Sequence, residues 1–230
     1  MNNILQSSVF FGSFLTLAAY ALGLAIKKRF NNGFVNPLLI AIVVCIAVLL
    51  LGNIDYDTYN RGAQYISVFL TPATVCLAVP LYTQIEKLKK NFAAVMAGIL
   101  SGVVTSLGSI FLMAKIFGFS HEEYVTFLPK SITTAIGMSV SEELGGYVAI
   151  TVTVIILTGI LGNIICEGVL KVFGIRNRIA KGIAIGTASH AIGTSKAMEI
   201  GEIEGAMSSL SIVVSGILTV ILASVFAGMY

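Results

Sequence analysis

Polar side chains suited to binding a small anion occur in two stretches of an otherwise apolar chain. The stretch "GTASHAIGTS", Gly186 to Ser195, holds four hydroxyl side chains and an imidazole. The stretch "LPKSITT", Leu128 to Thr134, places Lys130 directly after a proline in an otherwise uncharged run. An ammonium group and hydroxyl donors together bind a carboxylate through charge-assisted hydrogen bonds. The chemistry that these residue types predict is therefore recognition of an anion.

Each polar stretch also carries a helix breaker, and a third stretch, "FLTPAT", shares this property. Proline removes a backbone donor and clashes with the preceding turn, and glycine loosens a helix, so Gly186 and Gly193 are predicted to let "GTASHAIGTS" unwind. A helix that begins inside a membrane points its free N–H groups and a partial positive charge at the site in front of it. The predicted substrate-binding residues are Thr71, Pro72, Ala73, Thr74, Lys130, Ser131, Thr133, Thr134, Thr187, Ser189, His190 and Thr194.

Two of these residues are titratable, and each has a second interpretation. A lysine at membrane depth costs roughly 2.5 to 3.5 kcal/mol, so Lys130 requires a partner, which a substrate carboxylate would supply. The alternative is an interfacial lysine that snorkels from a short re-entrant loop. His190 would carry a proton or donate to the substrate, or else it is a neutral core histidine bonded to a neighbouring carbonyl.

Other chemistries lack their signatures in this sequence. It has no phosphate-binding loop, dinucleotide fingerprint or metal-spaced cluster of His and Cys. Ser189 and His190 are adjacent without an acid nearby or a nucleophile elbow, so hydrolase chemistry is not indicated. Cys45, Cys76 and Cys166 occur singly, as small buried hydrophobes do. We expect no enzyme activity, no metal, no cofactor and no nucleic-acid partner.

Composition defines the protein class that must position these residues. Hydrophobic residues make up 57% of the 230 residues and charged residues 11%, against about a quarter charged in soluble domains. The chain is therefore predicted to be an integral membrane protein, all α-helical. Segments long enough to cross a bilayer are residues 4 to 26, 34 to 52, 91 to 117, 147 to 173 and 204 to 229. Interrupted apolar segments lie near 64 to 83, 124 to 140 and 181 to 198.

The placement of charge predicts the topology. Ten of the fourteen basic residues fall within 27 to 29, 87 to 90 and 171 to 181, which the positive-inside rule places in the cytoplasm. The acidic stretches 53 to 62, 120 to 123, 141 to 146 and 199 to 205 then face out. Because the stretches on both sides of residues 124 to 140 face out, that segment is predicted to be re-entrant. The sequence predicts about seven crossings plus this re-entrant segment.

Internal echoes indicate repeated units. "FLTPATVCLAVP" and "FLPKSITTAIG" align with one gap, and each precedes a long apolar helix that ends in "KIFG" or "KVFG". The charge-based topology gives these two units opposite orientations, as an inverted repeat requires. Chance similarity between apolar sequences is the alternative. We predict one transmembrane domain over 1–230, with two N-terminal helices in 1–63, broken-helix units in 64–119 and 120–175, and a third unit in 181–230.

Four motifs in this order carry a family resemblance over nearly the whole chain. "NPLLIAI", "FLTPATVCLAVPLY", "LPKSITTAIGMSVS" and "GTASHAIGTSKAMEIGEIEGAMSSL" resemble the LrgB/CidB family of bacterial membrane proteins. One departure is Ala135, where the family's third motif is expected to have a proline. The resemblance implies a multi-pass protein of the bacterial plasma membrane.

The family resemblance implies two functions. One is an antiholin-like or holin-like regulator of murein hydrolases and autolysis, which acts with a small membrane partner of the LrgA/CidA type. The other is transport of small carboxylates, because the plastid glycolate/glycerate transporter contains a similar domain and some bacterial members are linked to pyruvate movement. Broken helices and a buried lysine are typical of a carrier. The sequence therefore favours a monocarboxylate transporter with indirect effects on autolysis, surrounded by membrane lipid and with a homo-oligomer left open.

Overall fold

A computed structural model describes residues 10–30, 35–69, 72, 75–76 and 78–230, and the regular elements among these residues are all helices, with no strand. The chain divides into two compact units, one ending at Cys76 and one beginning at Leu77. The all-helical prediction is confirmed over this part of the chain. Each unit is described by itself below.

The first unit packs three helices through close backbone contacts. They are α1 (Phe11–Phe30), α2 (Pro37–Leu51) and α3 (Tyr56–Ser67). The Asn36 side chain caps α2, because its oxygen accepts from the amide of Leu38 at 2.8 Å and Pro37 begins the helix. At Gly23 an added Cβ would lie 2.6 Å from the carbonyl oxygen of Pro37. Helices α1 and α2 therefore approach closely at Gly23, because glycine has no side chain to separate them.

The second unit contains the long apolar helices. Its helices are α4 (Ala78–Thr83), α5 (Ile85–Lys90), α6 (Phe92–Phe117), α7 (His121–Phe127), α8 (Thr134–Glu143), α9 (Val148–Val172), α10 (Arg178–Ile200) and α11 (Glu202–Ala227). Among the described residues, α6, α9 and α11 are long and apolar enough to cross a membrane. They coincide with three of the predicted spans, whereas α2 is apolar but only 15 residues long. The other crossings and the inverted repeat stay predictions.

Helices α7 and α8 form a first hairpin, residues 121–143. Gly118, with φ 65°, ends α6, and Ser120 starts α7 with a reciprocal capping box to Glu123. At ten residues α8 is about 15 Å long, too short to cross a bilayer.

The base of the first hairpin is fastened by side chains. The Tyr147 hydroxyl donates to Glu122 at 2.9 Å. The Thr151 hydroxyl donates to the Thr126 carbonyl, also at 2.9 Å. Both ends of the hairpin consequently lie at one end of the unit. A re-entrant position in the membrane for residues 124 to 140 stays a prediction.

Helix α10 forms a second hairpin, residues 178–200, because it reverses at His190. The backbone of His190 has φ 43° and ψ −139°, inside an otherwise helical segment. Ile185 and Ala197 pack in the same apolar cluster, although residues twelve apart on a straight helix would be about 18 Å apart. A descending arm (178–189) and a returning arm (191–200) therefore lie side by side.

The second hairpin corrects the predicted topology. The sequence placed residues 199 to 205 on the opposite face from the basic group 171 to 181, with residues 181 to 198 among about seven crossings. Instead, Arg178 at the start of α10 pairs with Glu204 at the start of α11, at 3.0 Å. The prediction that these two stretches face opposite sides is wrong, because the chain turns back at His190.

The two hairpins enter the helical unit from opposite ends. Tyr124 in the first hairpin donates to the carbonyl of Phe226 near the end of α11, at 3.1 Å. The second hairpin lies beside the end of α9, where Lys196 pairs with Glu167 at 2.6 Å. Ser131 and His190 contact the middle of α6 and of α9, respectively. The hairpin tips therefore reach the middle of the unit.

Single cysteines should report this arrangement in a cysteine-free background. We expect cysteines at exposed positions His121 and Glu143 to react from one side of the membrane with an impermeant thiol reagent. Cysteines at Arg176 and Glu202 should both react from the other side. The measurement is labelling of intact cells compared with inside-out vesicles. Opposite sidedness at 176 and 202 would show that α10 crosses.

Candidate functional site

A cavity of about 560 Å³ lies within the second unit, where both hairpins approach α6. One wall is α6, another is the tip of the first hairpin, and the third is the descending arm of the second. The lining residues are Ala94, Gly98, Ser101, Gly102, Thr105, Ser106, Ser109, Lys130, Ser131, Ala180, Ile183, Ala184, Thr187 and Ala188. The structure therefore brings together Lys130, Ser131 and Thr187 from the predicted set.

Among the described residues that line this cavity, Lys130 supplies the one charged side chain. Its Nζ donates to the Ser131 hydroxyl at 2.9 Å, and that hydroxyl lies 3.1 Å from Ser106 on α6. Across the described ranges, no carboxylate forms an ion pair with Lys130. The ammonium group is thus held near the middle of α6 by hydroxyls, with no carboxylate partner among the residues that the structure describes.

Thr187 presents a polar atom that lacks a partner. Its hydroxyl oxygen is buried and has no hydrogen bond, and it is the one such side-chain atom in the part of the chain that the structure describes. A Cβ added to Gly102 would lie 2.6 Å from Thr187 Cγ2, so α6 and the descending arm meet closely here. An unsatisfied buried hydroxyl costs about 1 to 3 kcal/mol. A bound ligand that accepts from Thr187 would remove that cost.

The hydroxyl face of α6 is a part of the cavity that the sequence analysis missed. Ser101, Thr105 and Ser109 recur every four residues and so share one helix face, beside Ser106. Ser101 and Ser109 donate to carbonyls of their own helix at 2.8 Å. The sequence does show hydroxyl residues at helical spacing in this apolar helix. It has no proline or charged residue beside them, which are the features that marked the other predicted site residues.

Several predicted site residues lie outside the cavity lining. Thr133 and Thr134 begin α8 and are half-buried. Ser189 packs against Gly162 of α9, and the Thr194 hydroxyl bonds to the carbonyl of His190 and to Ser208. In the first broken segment, Pro72 is helical and exposed. Thr71, Ala73 and Thr74 lie outside the described residues.

His190 is enclosed at the tip of the second hairpin. Its Nε2 lies 3.0 Å from the carbonyl oxygen of Ile155, which only accepts, so Nε2 carries the hydrogen. This geometry matches the core histidine that sequence reasoning left as the alternative. The positive φ of His190 is a backbone conformation that costs a non-glycine residue about 1 to 3 kcal/mol.

The glycines beside His190 have a different role from the one expected. Neither Gly186 nor Gly193 has a positive φ. A Cβ on Gly186 would lie 2.8 Å from the Cα of Ser208, and one on Gly193 would lie 2.5 Å from the Cβ of Ser189. The interpretation of these glycines as the point of unwinding is wrong, because they permit close packing and the break is at His190.

Comparison with known proteins identifies the family. The model of the LrgB-like family matches residues 16–229. The chain belongs to the LrgB-like family. It is 40% identical over 225 residues to the holin-like protein CidB of Staphylococcus epidermidis, covering 98% of this chain and 97% of that protein. No solved structure matches this LrgB-like chain.

Two further relatives of this LrgB-like chain carry related names. The holin-like protein CidB of Staphylococcus aureus is 39% identical over 225 residues, covering 98% of this chain and 97% of that protein. The antiholin-like protein LrgB of Bacillus cereus is 38% identical over 218 residues, covering 94% and 95%. None of these names designates an enzyme. With its long apolar helices, the LrgB-like protein is a membrane protein.

Replacing Thr187 with valine should separate stability from ligand binding in this LrgB-like protein. Valine keeps the branched shape and removes the unpartnered hydroxyl, so we expect the unfolding free energy in detergent to rise by about 1 kcal/mol. Affinity for the anion that these residues are predicted to bind should fall, because a hydrogen-bond donor is lost. Thr194→Val is the matched control and should destabilise, since its hydroxyl is bonded to His190 and Ser208. A destabilised Thr187→Val would mean that its hydroxyl is satisfied.

Proposed function

We propose that the protein is a secondary transporter, or export carrier, of a small monocarboxylate such as pyruvate, glycolate or glycerate. It would act as a multi-pass protein of the bacterial plasma membrane. The observation that carries the proposal is Lys130, which lies in a hydroxyl-lined cavity without a carboxylate partner among the described residues. An uncompensated ammonium at membrane depth is costly unless an anion joins it.

The size and charge of the cavity suit this substrate class. A volume of about 560 Å³ falls within the usual range for small-molecule sites, about 300 to 1,000 Å³. One ammonium group balances one carboxylate, so a monoanion would leave the cavity neutral. The surrounding hydroxyls both donate and accept, so they would satisfy a keto or hydroxyl oxygen on the neighbouring carbon.

The residues take distinct parts in this proposal. Lys130 pairs with the carboxylate, while Ser131 and Thr187 donate hydrogen bonds to it. The α6 hydroxyls of Ser106 and Thr105 contact the remainder of the substrate. Five other predicted residues do not line the cavity and would instead shape the hairpin tips that form its walls. They are Thr133, Thr134, Ser189, His190 and Thr194. A contribution from Thr71 to Thr74 stays a prediction.

Opposed hairpins supply a route for alternating access. The first hairpin is followed by α9, and the second is followed by α11. The inverted pair predicted from the sequence is 64–119 with 120–175. We propose that the two hairpin-plus-helix units, residues 120–175 and 181–230, form a further inverted pair. Motion of either hairpin tip would open the cavity toward one end of the unit, as inverted-repeat carriers do.

The names of the relatives favour a second candidate function. "Holin-like" and "antiholin-like" suit a non-transporting regulator of murein hydrolases and cell lysis. Such a regulator would act with a small LrgA/CidA-type membrane protein or as a homo-oligomer. Under the carrier proposal, effects on autolysis follow from altered carboxylate concentrations.

Reconstitution separates the two functions. The purified chain in proteoliposomes should give saturable uptake of radiolabelled pyruvate or glycolate that unlabelled carboxylate competes for. A trapped fluorescent dye should remain inside the same vesicles. Release of the dye would favour a pore. Absence of both signals from correctly inserted protein would contradict a carrier that works alone and favour the regulator.

A further inference from the structure

A second cavity, of about 640 Å³, lies at the open end of the second hairpin. It is bounded by the end of α9, the connector to α10 and both arms of α10. Its charged lining residues are four basic groups and two carboxylates, which leaves an excess of two positive charges. Lys130 does not line this second cavity, and the carrier proposal does not use it.

The basic groups of this cavity are not equivalent. Lys196 on the returning arm is held between Glu167 at 2.6 Å and Glu199 at 3.2 Å. Lys171, Arg176 and Lys181 form no ion pair within the portion of the chain described. Three cations around one opening therefore have no ion-pair partner among the described residues.

We propose that this cavity binds the phosphate group of an anionic phospholipid from the leaflet around it. Phosphate is the multivalent oxygen acceptor that clustered Lys and Arg recognise. The proposal does not depend on the transport proposal, since either a carrier or a regulator could hold a lipid here.

The surface beside the cavity favours a lipid over a free phosphate. Directly after Lys171, the end of α9 carries two strongly exposed large apolar side chains, Val172 (82%) and Phe173 (75%). Exposed apolar side chains beside clustered basic groups suit the boundary between acyl chains and lipid headgroups. Acyl chains would cover these two side chains while the phosphate occupies the cavity. The same end of the unit carries the basic groups that the positive-inside rule assigns to the cytoplasmic leaflet.

Such a lipid would join parts of the protein that are otherwise connected by few charges. Lys171 belongs to α9 and Lys181 to the descending arm. A phosphate between them would fasten the open end of the second hairpin to α9, beside the Lys196–Glu167 pair. Lipid binding would therefore stabilise the folded hairpin.

The test uses the full chain in neutral detergent with fluorescent phosphatidylglycerol as the probe. Each basic group near an anionic lipid contributes about a five-fold gain in affinity. The triple variant Lys171→Gln/Arg176→Gln/Lys181→Gln should therefore bind about 100-fold more weakly. The matched control is Lys27→Gln/Lys28→Gln/Arg29→Gln, which removes the same charges from another basic group and should bind normally. The single variant Lys181→Gln should lose about five-fold if the triple variant proves unstable.

Competitors decide the source of the phosphate. Unlabelled phosphatidylglycerol should displace the probe, whereas phosphatidylcholine and inorganic phosphate should not. Displacement by inorganic phosphate at equal concentration would overturn the lipid and assign a free phosphate ligand. Equal binding by both triple variants, or equal displacement by phosphatidylcholine, would overturn the site altogether.

Discussion

Replacing Lys130 with methionine is expected to lower saturable carboxylate flux by about 100-fold while the protein still inserts and folds. A charged hydrogen bond contributes about 1.5 to 3 kcal/mol, and a carboxylate that enters a desolvated site without a partner pays a further cost. Methionine is close in length and fills the same space without charge. The measurement is initial uptake of radiolabelled pyruvate and glycolate into proteoliposomes that contain equal amounts of protein.

Two variants control for this result. Lys89→Met removes an exposed lysine outside the cavity lining and should leave flux unchanged. Lys130→Arg should retain part of the flux, because the charge remains but a planar guanidinium replaces a compact ammonium group. Normal flux in Lys130→Met would exclude pairing with the substrate and return Lys130 to the snorkelling interpretation.

The same glycine-to-alanine change should have opposite effects at two positions of α9. A Cβ on Gly162 would overlap the Ser189 side chain just before the reversal at His190, whereas nothing lies within 4 Å of a Cβ on Gly168. We expect Gly162→Ala to lower the unfolding free energy by about 1 to 3 kcal/mol through overpacking. Gly168→Ala should raise it by up to about 1 kcal/mol, because alanine is the better helix former.

Unfolding in detergent, followed by circular dichroism, gives both free energies. Ser189→Gly in the Gly162→Ala background should restore part of the lost stability, since it removes the atoms that the new methyl group meets. This rescue ties the loss to the hairpin tip. Effects of equal sign at Gly162 and Gly168 would contradict the packing of the second hairpin against α9.

Local patterns were sufficient for the first hairpin. Pro129, the short apolar run and acidic residues on both sides predict a segment that turns back, and residues 121–143 form a hairpin fastened by Tyr147 and Glu122. A re-entrant position of this hairpin in the membrane stays a prediction. Lys130, Ser131 and Thr187 were also predicted and share one cavity. The hairpin and Lys130 depend on residues close in sequence and on the cost of charge in an apolar run, whereas the approach of Thr187 from a distant helix is a tertiary contact.

The reversal of α10 could not be predicted in the same way. A histidine with positive φ is unfavourable by itself, so only tertiary contacts hold it there. Those contacts are the carbonyl of Ile155 and the space left by Gly159, both on another helix. The glycines of "GTASHAIGTS" predicted a break within the correct stretch, but the residue at which the helix reverses is His190.

The acidic residues before α11 also led to a wrong prediction, because they were expected to face the side opposite the basic group at 171 to 181. Residues 199 to 205 are acidic, yet Glu204 is only 3% exposed and is neutralised by Arg178. A carboxylate that is paired in the folded protein says little about which side of a membrane it occupies, and acidic residues are weak determinants of topology in any case.

The contact between the descending arm and α11 has a mechanical consequence. At Gly182 and Gly186, an added Cβ would meet backbone atoms of Glu204 and Ser208, so the backbones of the two helices approach closely at these positions. Displacement of the arm along its neighbour therefore needs few rotamer changes, and we expect shear to be easier here than hinge rotation. The ion pair between Arg178 and Glu204 would limit how far the descending arm can move along α11.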